Sequence, residues 1–168
     1  MSAAAVELKR LLQRAPQRTL AVAESMTCGR VQAAVGAVSG ASEFFLGGLT
    51  AYSLEEKVRH LGVNRAEARK VACVSAAVAE EMAQGVCQLF GSDLGLATTG
   101  YAEPSPDVGV TTPFAWWALA HRRRGKWLAV RSGRVECPGA KRIEAQQIVA
   151  EAALAELVAY LRAERIST

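Results

Sequence analysis

The segment T-L-A-V-A-E-S-M-T-C-G, residues 19–29, decides the fold class of this 168-residue chain. Its first five residues are continuously apolar, which is the pattern of a strand buried on both faces of a sheet. The run leads into Glu24, Ser25 and a polar turn, and residues 29–38 then have the composition of a helix. Because a buried strand followed by a helix is the unit from which α/β domains are built, the segment predicts an α/β fold.

The rest of the chain supplies the other elements of such a domain. Further strands are predicted at residues 44–52 and 93–98 and in a hairpin of residues 114–121 and 127–135. Helices are predicted at residues 3–13, 54–61, 65–71, 75–90 and 140–163. Gly47 and Gly48 predict a bulge or a close backbone approach within the second strand. This order predicts a three-layer α/β/α sandwich with a mixed sheet, formed by residues 1–168 as a single compact domain.

Composition and charge exclude several classes of protein. Hydrophobic residues make up 51% of the chain and charged residues 21%, which predicts a globular protein and excludes a disordered one. No apolar run approaches the roughly 18 residues that span a bilayer, and we expect neither a membrane anchor nor a signal peptide. The net charge is +4. The only basic cluster flanks Gly125 and is interpreted as a hairpin turn, so we expect no direct nucleic-acid contact.

The four cysteines indicate the cellular compartment of the protein. They lie far apart, with no C-x-x-C pair and no histidine at ligand spacing, which argues against a zinc site and a disulfide framework. Reduced thiols are typical of the cytoplasm, so we expect a cytoplasmic protein without a metal site.

Three predicted strands end in hydroxyl-bearing residues. In α/β sheets the ligand site lies outside the carboxyl ends of the parallel strands, and here those ends carry Ser25, Tyr52 and Thr99. Ser25 lies between a strand and a helix, where a nucleophile and free backbone N–H groups can face the same point. The alternative is that Ser25 or Thr27 only caps the helix.

A serine nucleophile needs a proton acceptor, and neither histidine lies in a pattern resembling a Ser-His-Asp triad. A desolvated lysine can act as the base and a tyrosine hydroxyl can relay the proton, which makes Lys57 and Tyr52 the candidates. The alternative for Lys57 is a solvated helix residue paired with Glu55 or Glu56.

Five segments, in order along the chain, resemble the CinA C-terminal domain family. They are A-E-S-M-T-C-G at 23–29, F-F-L-G-G-L-T-A-Y-S-L-E-E-K at 44–57, L-G-V at 61–63, V-S-A-A-V-A-E-E-M-A at 74–83 and A-T-T-G-Y-A at 97–102. The family members with known activity are nicotinamide-nucleotide amidohydrolases. The resemblance implies a compact, often dimeric α/β/α domain that hydrolyses the carboxamide of nicotinamide mononucleotide to the acid and ammonia, without a cofactor.

The resemblance also implies roles for individual residues. Ser25 matches the family's nucleophile in A-E-S-C-T-G-G, and Tyr52 and Lys57 match the activating residues in Y-S-N-E-A-K. The implied substrate-binding residues are Thr27, Gly29, Thr99, Gly100 and Arg142. Among these, backbone N–H groups near Thr27 and Gly29 are expected to hold the oxyanion.

The chain also departs from the family pattern at several positions. Met26 and Cys28 replace a cysteine and a glycine, and we expect Cys28 to be a small buried thiol rather than a reactive one. Glu103 stands where the family has a glycine, in the loop that helps to bind the nucleotide. Its charge is expected to repel a phosphate unless Arg142 or Lys141 compensates.

The matches to the family pattern and the departures from it leave two possible functions. The first is an amidohydrolase of the nicotinamide mononucleotide deamidase type, acting on a small-molecule nucleotide or a related amide. The second is a catalytically inactive paralogue that serves as a nucleotide-binding or regulatory module. In both cases we expect a homo-oligomer with no membrane partner.

Overall fold

The computed structural model describes residues 2–166 of the chain, with side chains as far as residue 164. Five strands lie within this range: β1 (Leu20–Glu24), β2 (Phe45–Thr50), β3 (Leu94–Tyr101), β4 (Phe114–Arg123) and β5 (Lys126–Glu136). The α-helices in the same range are α1 (Ala3–Leu12), α2 (Arg30–Gly36), α3 (Leu54–Leu61), α4 (Arg65–Lys70), α5 (Ala76–Phe90) and α6 (Arg142–Ile166). Each predicted helix and strand is therefore present.

The strands form one mixed sheet in the order β2-β1-β3-β4-β5. β1 runs parallel to both of its neighbours, whereas β3, β4 and β5 pair antiparallel. Helices α1, α2 and α6 cover one face of the sheet, and α3, α4 and α5 cover the other. The predicted three-layer α/β/α sandwich is confirmed.

The alternating side chains of β1 fit two different layers. Leu20 and Val22 face the α1-α2-α6 layer, and Ala21 and Ala23 face α5. The residues facing α5 are small, and a Cβ at Gly95 would lie only 2.1 Å from the carbonyl oxygen of Ala83 in that helix. The close approach of α5 to the sheet therefore requires small residues at these strand positions.

The paired glycines of β2 have the predicted effect on the sheet. A Cβ at Gly48 would lie 2.4 Å from the carbonyl oxygen of Val22 in β1. The register between the two strands also shifts between Leu20 and Ala21, where Ala21 pairs with Gly47. Both the predicted close approach and the predicted irregularity are confirmed.

Two element boundaries differ from the prediction for identifiable reasons. β3 extends to Tyr101, because Tyr101 pairs with Phe114 of β4, so Thr99 and Gly100 lie inside the strand. α2 begins one residue later than predicted, since Cys28 and Gly29 both have positive φ angles (51° and 91°) and are not helical. It ends at Gly36, two residues earlier than predicted.

The basic cluster flanking Gly125 lies in a two-residue hairpin turn. Arg124 and Gly125 connect β4 to β5 with φ angles of 51° and 78°, which is the backbone of a tight turn between twisted antiparallel strands. The prediction that the basic residues surround a hairpin turn is confirmed.

Candidate active site

Two backbone hydrogen bonds fix the position of Ser25 at the carboxyl end of the sheet. The N–H of Ser25 donates to the carbonyl of Thr98 at 3.0 Å, and the N–H of Ala51 donates to the carbonyl of Glu24 at 2.9 Å. These bonds continue the pairing of β1 with β3 and β2 beyond the end of β1. Ser25 and Ala51 therefore lie beside each other on neighbouring strand ends.

Lys57 reaches Ser25 from the first turns of α3. Ser53 caps this helix by accepting the N–H of Glu56 on its hydroxyl at 3.3 Å. From this turn the Lys57 side chain returns toward the sheet, and its Nζ donates to the Oγ of Ser25 at 2.9 Å. Lys57 is only 1% exposed and Ser25 is 7% exposed.

The alternative of a solvated Lys57 paired with a glutamate does not agree with the structure. Its Nζ also donates to the carbonyl oxygens of Ala51 at 2.8 Å and Tyr52 at 2.9 Å. No carboxylate among residues 2–164 forms an ion pair with it. Burial lowers the pKa of Lys57, and the nearby Cys73 opposes this shift. A lysine held by neutral oxygens and removed from water is well suited to lose its proton.

Tyr52 contacts the lysine through its backbone and not through its hydroxyl. The side chain is 55% exposed, and its hydroxyl accepts a hydrogen bond from the guanidinium of Arg142 at 2.9 Å. The expected role of this hydroxyl as a proton relay therefore has no support in the geometry. What Tyr52 gives to Lys57 is a carbonyl oxygen.

Glu24 organises the loop that carries Ser25. This fully buried carboxylate accepts the N–H groups of Gly29 at 2.9 Å and Val31 at 3.2 Å on one oxygen, and the N–H and side-chain amide of Gln32 at 2.9 and 3.1 Å on the other. It thus satisfies N–H groups at the start of α2 that have no partner within the helix. Ser25 is not the cap of this helix.

Thr27 and Gly29 are used within the loop itself. The hydroxyl of Thr27 donates to Glu24 at 2.6 Å and lies 2.7 Å from the hydroxyl of Thr98, and the residue is fully buried. The N–H of Gly29 is directed at Glu24. The N–H of Gly29 is therefore not free to hold an oxyanion, and the expectation that N–H groups near Thr27 do so stays a prediction. Among the described residues, the N–H groups of Met26 and Thr27 make no hydrogen bond.

Two neighbouring residues of this loop face in opposite directions. Met26 is buried, and it belongs to a small hydrophobic cluster that includes Ala115 of β4 and Ala145 of α6. Cys28 is exposed and has a φ angle of 51°, a conformation that favours glycine. The expectation of a buried Cys28 thiol is therefore wrong, because the left-handed turn directs this side chain outward while Met26 anchors the loop.

Thr99 and Gly100 lie within the last residues of β3 and have structural roles there. The Thr99 hydroxyl donates to the carbonyl of Cys73 at 2.7 Å and ties the segment after α4 to the sheet. A Cβ at Gly100 would lie 2.3 Å from the carbonyl oxygen of Phe114. Their roles in substrate binding stay predictions.

Arg142, Tyr52 and Glu103 form an exposed cluster beside the Ser25–Lys57 pair, and we call this cluster the entrance to the site. One guanidinium nitrogen donates to Tyr52 and the other forms an ion pair with Glu103 at 2.5 Å. The pKa of Arg142 is raised, first by the nearby Tyr52 and then by Glu103. Of the two cations considered for compensation of the Glu103 charge, Arg142 is the one that forms an ion pair with it.

Sequence reasoning missed Glu24 and Cys73. Glu24 had a signal, because a carboxylate that ends an apolar strand five residues before a helix can cap that helix. Cys73 contributes a carbonyl oxygen, and no side-chain pattern in the sequence predicts that role.

Within residues 2–164 no three His, Cys, Asp or Glu side chains form a group suited to a metal ion. None of the described helices is long and apolar enough to cross a membrane.

Comparison with known proteins identifies the family of this chain. The model of the CinA C-terminal domain matches residues 2–161. The chain belongs to the CinA C-terminal domain family. A CinA-like protein of Chlorobium limicola is 36% identical over 146 residues, which cover 86% of this chain and 34% of that protein. A CinA-like protein of Picosynechococcus sp. is 48% identical over 96 residues, which cover 57% of this chain and 23% of that protein.

The chain thus spans between about a fifth and a third of the length of these curated CinA relatives. Solved structures cover it more completely. A competence or damage-inducible protein from Enterobacter asburiae has a TM-score of 0.86 at 27% identity, over 95% of this chain and 97% of its own. The competence damage-inducible protein A from Klebsiella pneumoniae has a TM-score of 0.81 at 30% identity, over 95% of each chain. The fold is that of the CinA superfamily.

Proposed function

We propose that this CinA-family chain is an amidohydrolase in which Ser25 is the nucleophile and Lys57 is the general base. The observation that carries the proposal is the 2.9 Å contact between Lys57 Nζ and Ser25 Oγ, made by a buried lysine. The substrate indicated by the family resemblance is nicotinamide mononucleotide or a related amide, and the products are the acid and ammonia. The residues supply both nucleophile and base, so the proposal requires no cofactor.

The surroundings of Lys57 fit a change of protonation state. A neutral amine keeps two N–H groups, and the carbonyls of Ala51 and Tyr52 accept two hydrogen bonds from Nζ. Its lone pair is then directed at Ser25, so that the serine hydroxyl becomes the donor. Loss of the lysine proton therefore reverses one hydrogen bond and leaves the other two in place.

The reaction follows from this arrangement in two steps. In the first, Ser25 Oγ bonds to the amide carbon while its proton moves to Lys57, which returns it to the leaving nitrogen as the carbon–nitrogen bond breaks and ammonia departs. In the second, water attacks the ester carbon, Lys57 takes a proton from that water, and the Ser25 oxygen regains one as it leaves. The acid is released.

The developing oxyanion needs donors that the fold does not use elsewhere. The N–H groups of Met26 and Thr27 meet this condition among the described residues, and they directly follow the nucleophile. Glu24 and the buried Met26 side chain fix the loop that carries them. Donors that are already in position need no rearrangement as the charge forms, which is the main requirement for oxyanion stabilisation.

A second function is favoured by the entrance to the site. Arg142, the expected substrate-binding arginine, already pairs with Glu103, and Cys28 introduces a side chain in a left-handed turn. These features favour a non-catalytic paralogue that binds a nucleotide or a partner. Saturable binding without turnover would distinguish this function from the first.

The test is ammonia release from nicotinamide mononucleotide and from related amides by the purified chain and its variants. We expect turnover by the wild type and a loss of at least about 100-fold in Ser25→Ala and Lys57→Met, since each removes a group that moves in the reaction. Lys70→Met is the matched control, because Lys70 is exposed and pairs only with Glu67. A folded wild type that releases no ammonia from this substrate or from related amides contradicts the proposal.

The proposal includes a homo-oligomer, which the family resemblance implies. Light scattering on a sizing column measures the molar mass, and a mass near 17.8 kDa contradicts this part of the proposal.

A further inference from the structure

The entrance to the site holds one cation that is already engaged. The Arg142 guanidinium donates to the Tyr52 hydroxyl at 2.9 Å and to a Glu103 carboxylate oxygen at 2.5 Å. Tyr52 also gives its carbonyl oxygen to Lys57. The Arg142–Glu103 pair therefore lies one tyrosine side chain away from the proposed base.

The pair has no net charge, and this matters for an anionic substrate. An arginine binds phosphate or carboxylate through the same pair of N–H donors. Here Glu103 occupies one side of the guanidinium, and Tyr52 occupies the other. A phosphate that approaches Arg142 must displace the Glu103 carboxylate or lie beside a like charge, which is repulsive. A substrate without a phosphate meets neither obstacle.

We infer that Glu103 is a specificity-determining residue that makes this site select the phosphate-free form of its amide substrate. On the chemistry of the proposed reaction, this is a nucleoside amide and not its nucleotide. The inference rests on the proposed function for the nature of the amide, and it concerns a different part of the site from the Ser25–Lys57 pair.

The ion pair is not needed to hold the fold. The side chains of Arg142 and Glu103 are 46% and 58% exposed, and exposed pairs of this kind add little to stability. The segment that carries Glu103 has its own attachments, since Ala102 is buried and Ser105 pairs with Val110. A change at Glu103 therefore acts on binding, and the variant folds.

The experiment is calorimetric binding of nicotinamide mononucleotide and nicotinamide riboside, which differ by one phosphate, at low ionic strength. It uses Ser25→Ala protein, in which the ligand is not consumed. We expect the riboside to bind at least as tightly as the nucleotide. Adding Glu103→Gln tightens nucleotide binding by about fivefold and changes riboside binding by less than twofold, since it removes one partly exposed charge. This gain shrinks at high salt.

Two further variants make the result specific. Asp107→Asn removes a carboxylate from the same loop, at a residue that pairs with no cation among those described, and it leaves both affinities within twofold. Arg142→Gln abolishes the gain from Glu103→Gln, because the freed cation is absent.

The inference is overturned if the nucleotide binds more tightly than the riboside with Glu103 in place, if neither ligand binds, or if Glu103→Gln and Asp107→Asn act alike. The proposed function fails separately, through the absence of ammonia release by the wild type. Selective binding of the riboside without turnover therefore supports the inference and contradicts the amidohydrolase.

Discussion

The carboxylate of Glu24 accepts the backbone N–H of Gly29 at 2.9 Å, so the last residue of a buried strand closes the loop that carries Ser25. Five hydrogen bonds reach this carboxylate, three on one oxygen and two on the other. The loop geometry therefore depends on one charged group that water does not reach.

Replacement of Glu24 by glutamine is the first prediction. The amide cannot accept on both of its terminal atoms, so the NH₂ group faces N–H donors and the interaction of the charge with the start of α2 is lost. We expect Glu24→Gln to lower the free energy of unfolding by about 2–4 kcal/mol and to reduce any activity that depends on Ser25. Urea unfolding followed by circular dichroism measures the first effect.

The matched control is Glu67→Gln, because Glu67 is an exposed helix residue that pairs only with Lys70. Its effect on the free energy of unfolding should stay within about 0.5 kcal/mol. Equal stability losses in the two variants would mean that the buried hydrogen bonds of Glu24 contribute nothing beyond those of a surface carboxylate.

The pH dependence of activity is the second prediction. Burial lowers the pKa of Lys57 below its ordinary value of 10.5, and the proposed base acts in its neutral form. We expect kcat/KM for ammonia release to rise with pH as Lys57 loses its proton and then to level off below pH 10.5. A rise that reaches its midpoint only at the ordinary value would contradict a desolvated base.

The same shift has a consequence for stability. The folded chain loses the Lys57 proton at a lower pH than the unfolded chain, so between the two pKa values the unfolded state binds more protons. The free energy of unfolding therefore rises with pH across this window, by up to about 1.4 kcal/mol per pH unit, and the rise ends near 10.5. Lys57→Met should lack this rise, as comparison of its urea midpoints with the wild type over the same pH range will show.

The reactivity of the thiols is the third prediction. Cys28 is exposed, whereas Cys87 and Cys137 are buried, and burial raises the pKa of Cys87 to about 11. We expect Cys28 to react rapidly with a disulfide reagent in the native protein and the two buried thiols to react only on unfolding. Release of the coloured thiolate measures the number of reacting groups.

Cys28→Ser should remove the fast phase of this reaction, and Cys137→Ser should leave it unchanged. A fast phase that survives in Cys28→Ser would place the accessible thiol elsewhere.

The sequence predicted the layers of this fold because the pattern of each element was local. The apolar run of residues 19–23 indicates a buried strand within five residues, and the helix of residues 54–61 directly follows the serine that caps it. It also named Ser25 and Lys57 as candidates. Their contact depends on the order of β2, β1 and β3 in the sheet. Only the structure decides between the two interpretations of Lys57, a buried base beside Ser25 or a solvated helix residue.

The errors concern the directions in which groups point. An isolated carboxylate in a sequence does not show that five donors surround it, as they do Glu24. Cys28 was expected to be buried because it is small, but its positive φ angle turns it outward. The hydroxyl of Tyr52 was expected at the base, whereas the structure places the carbonyl there.

Two of the oxygens that accept hydrogen bonds from Lys57 are main-chain carbonyl oxygens. Changes of side chain at the entrance therefore differ in their effect from changes at Lys57 or Ser25. A change of side chain at the exposed Tyr52 leaves its carbonyl oxygen in place, whereas Ala51 is buried in the core and is constrained by packing as well. The side chains of Tyr52, Glu103 and Arg142 are exposed and contact one another rather than the core. Proteins of this fold can therefore change their ligand through point mutations at the entrance, while the contact between the serine and the lysine is kept.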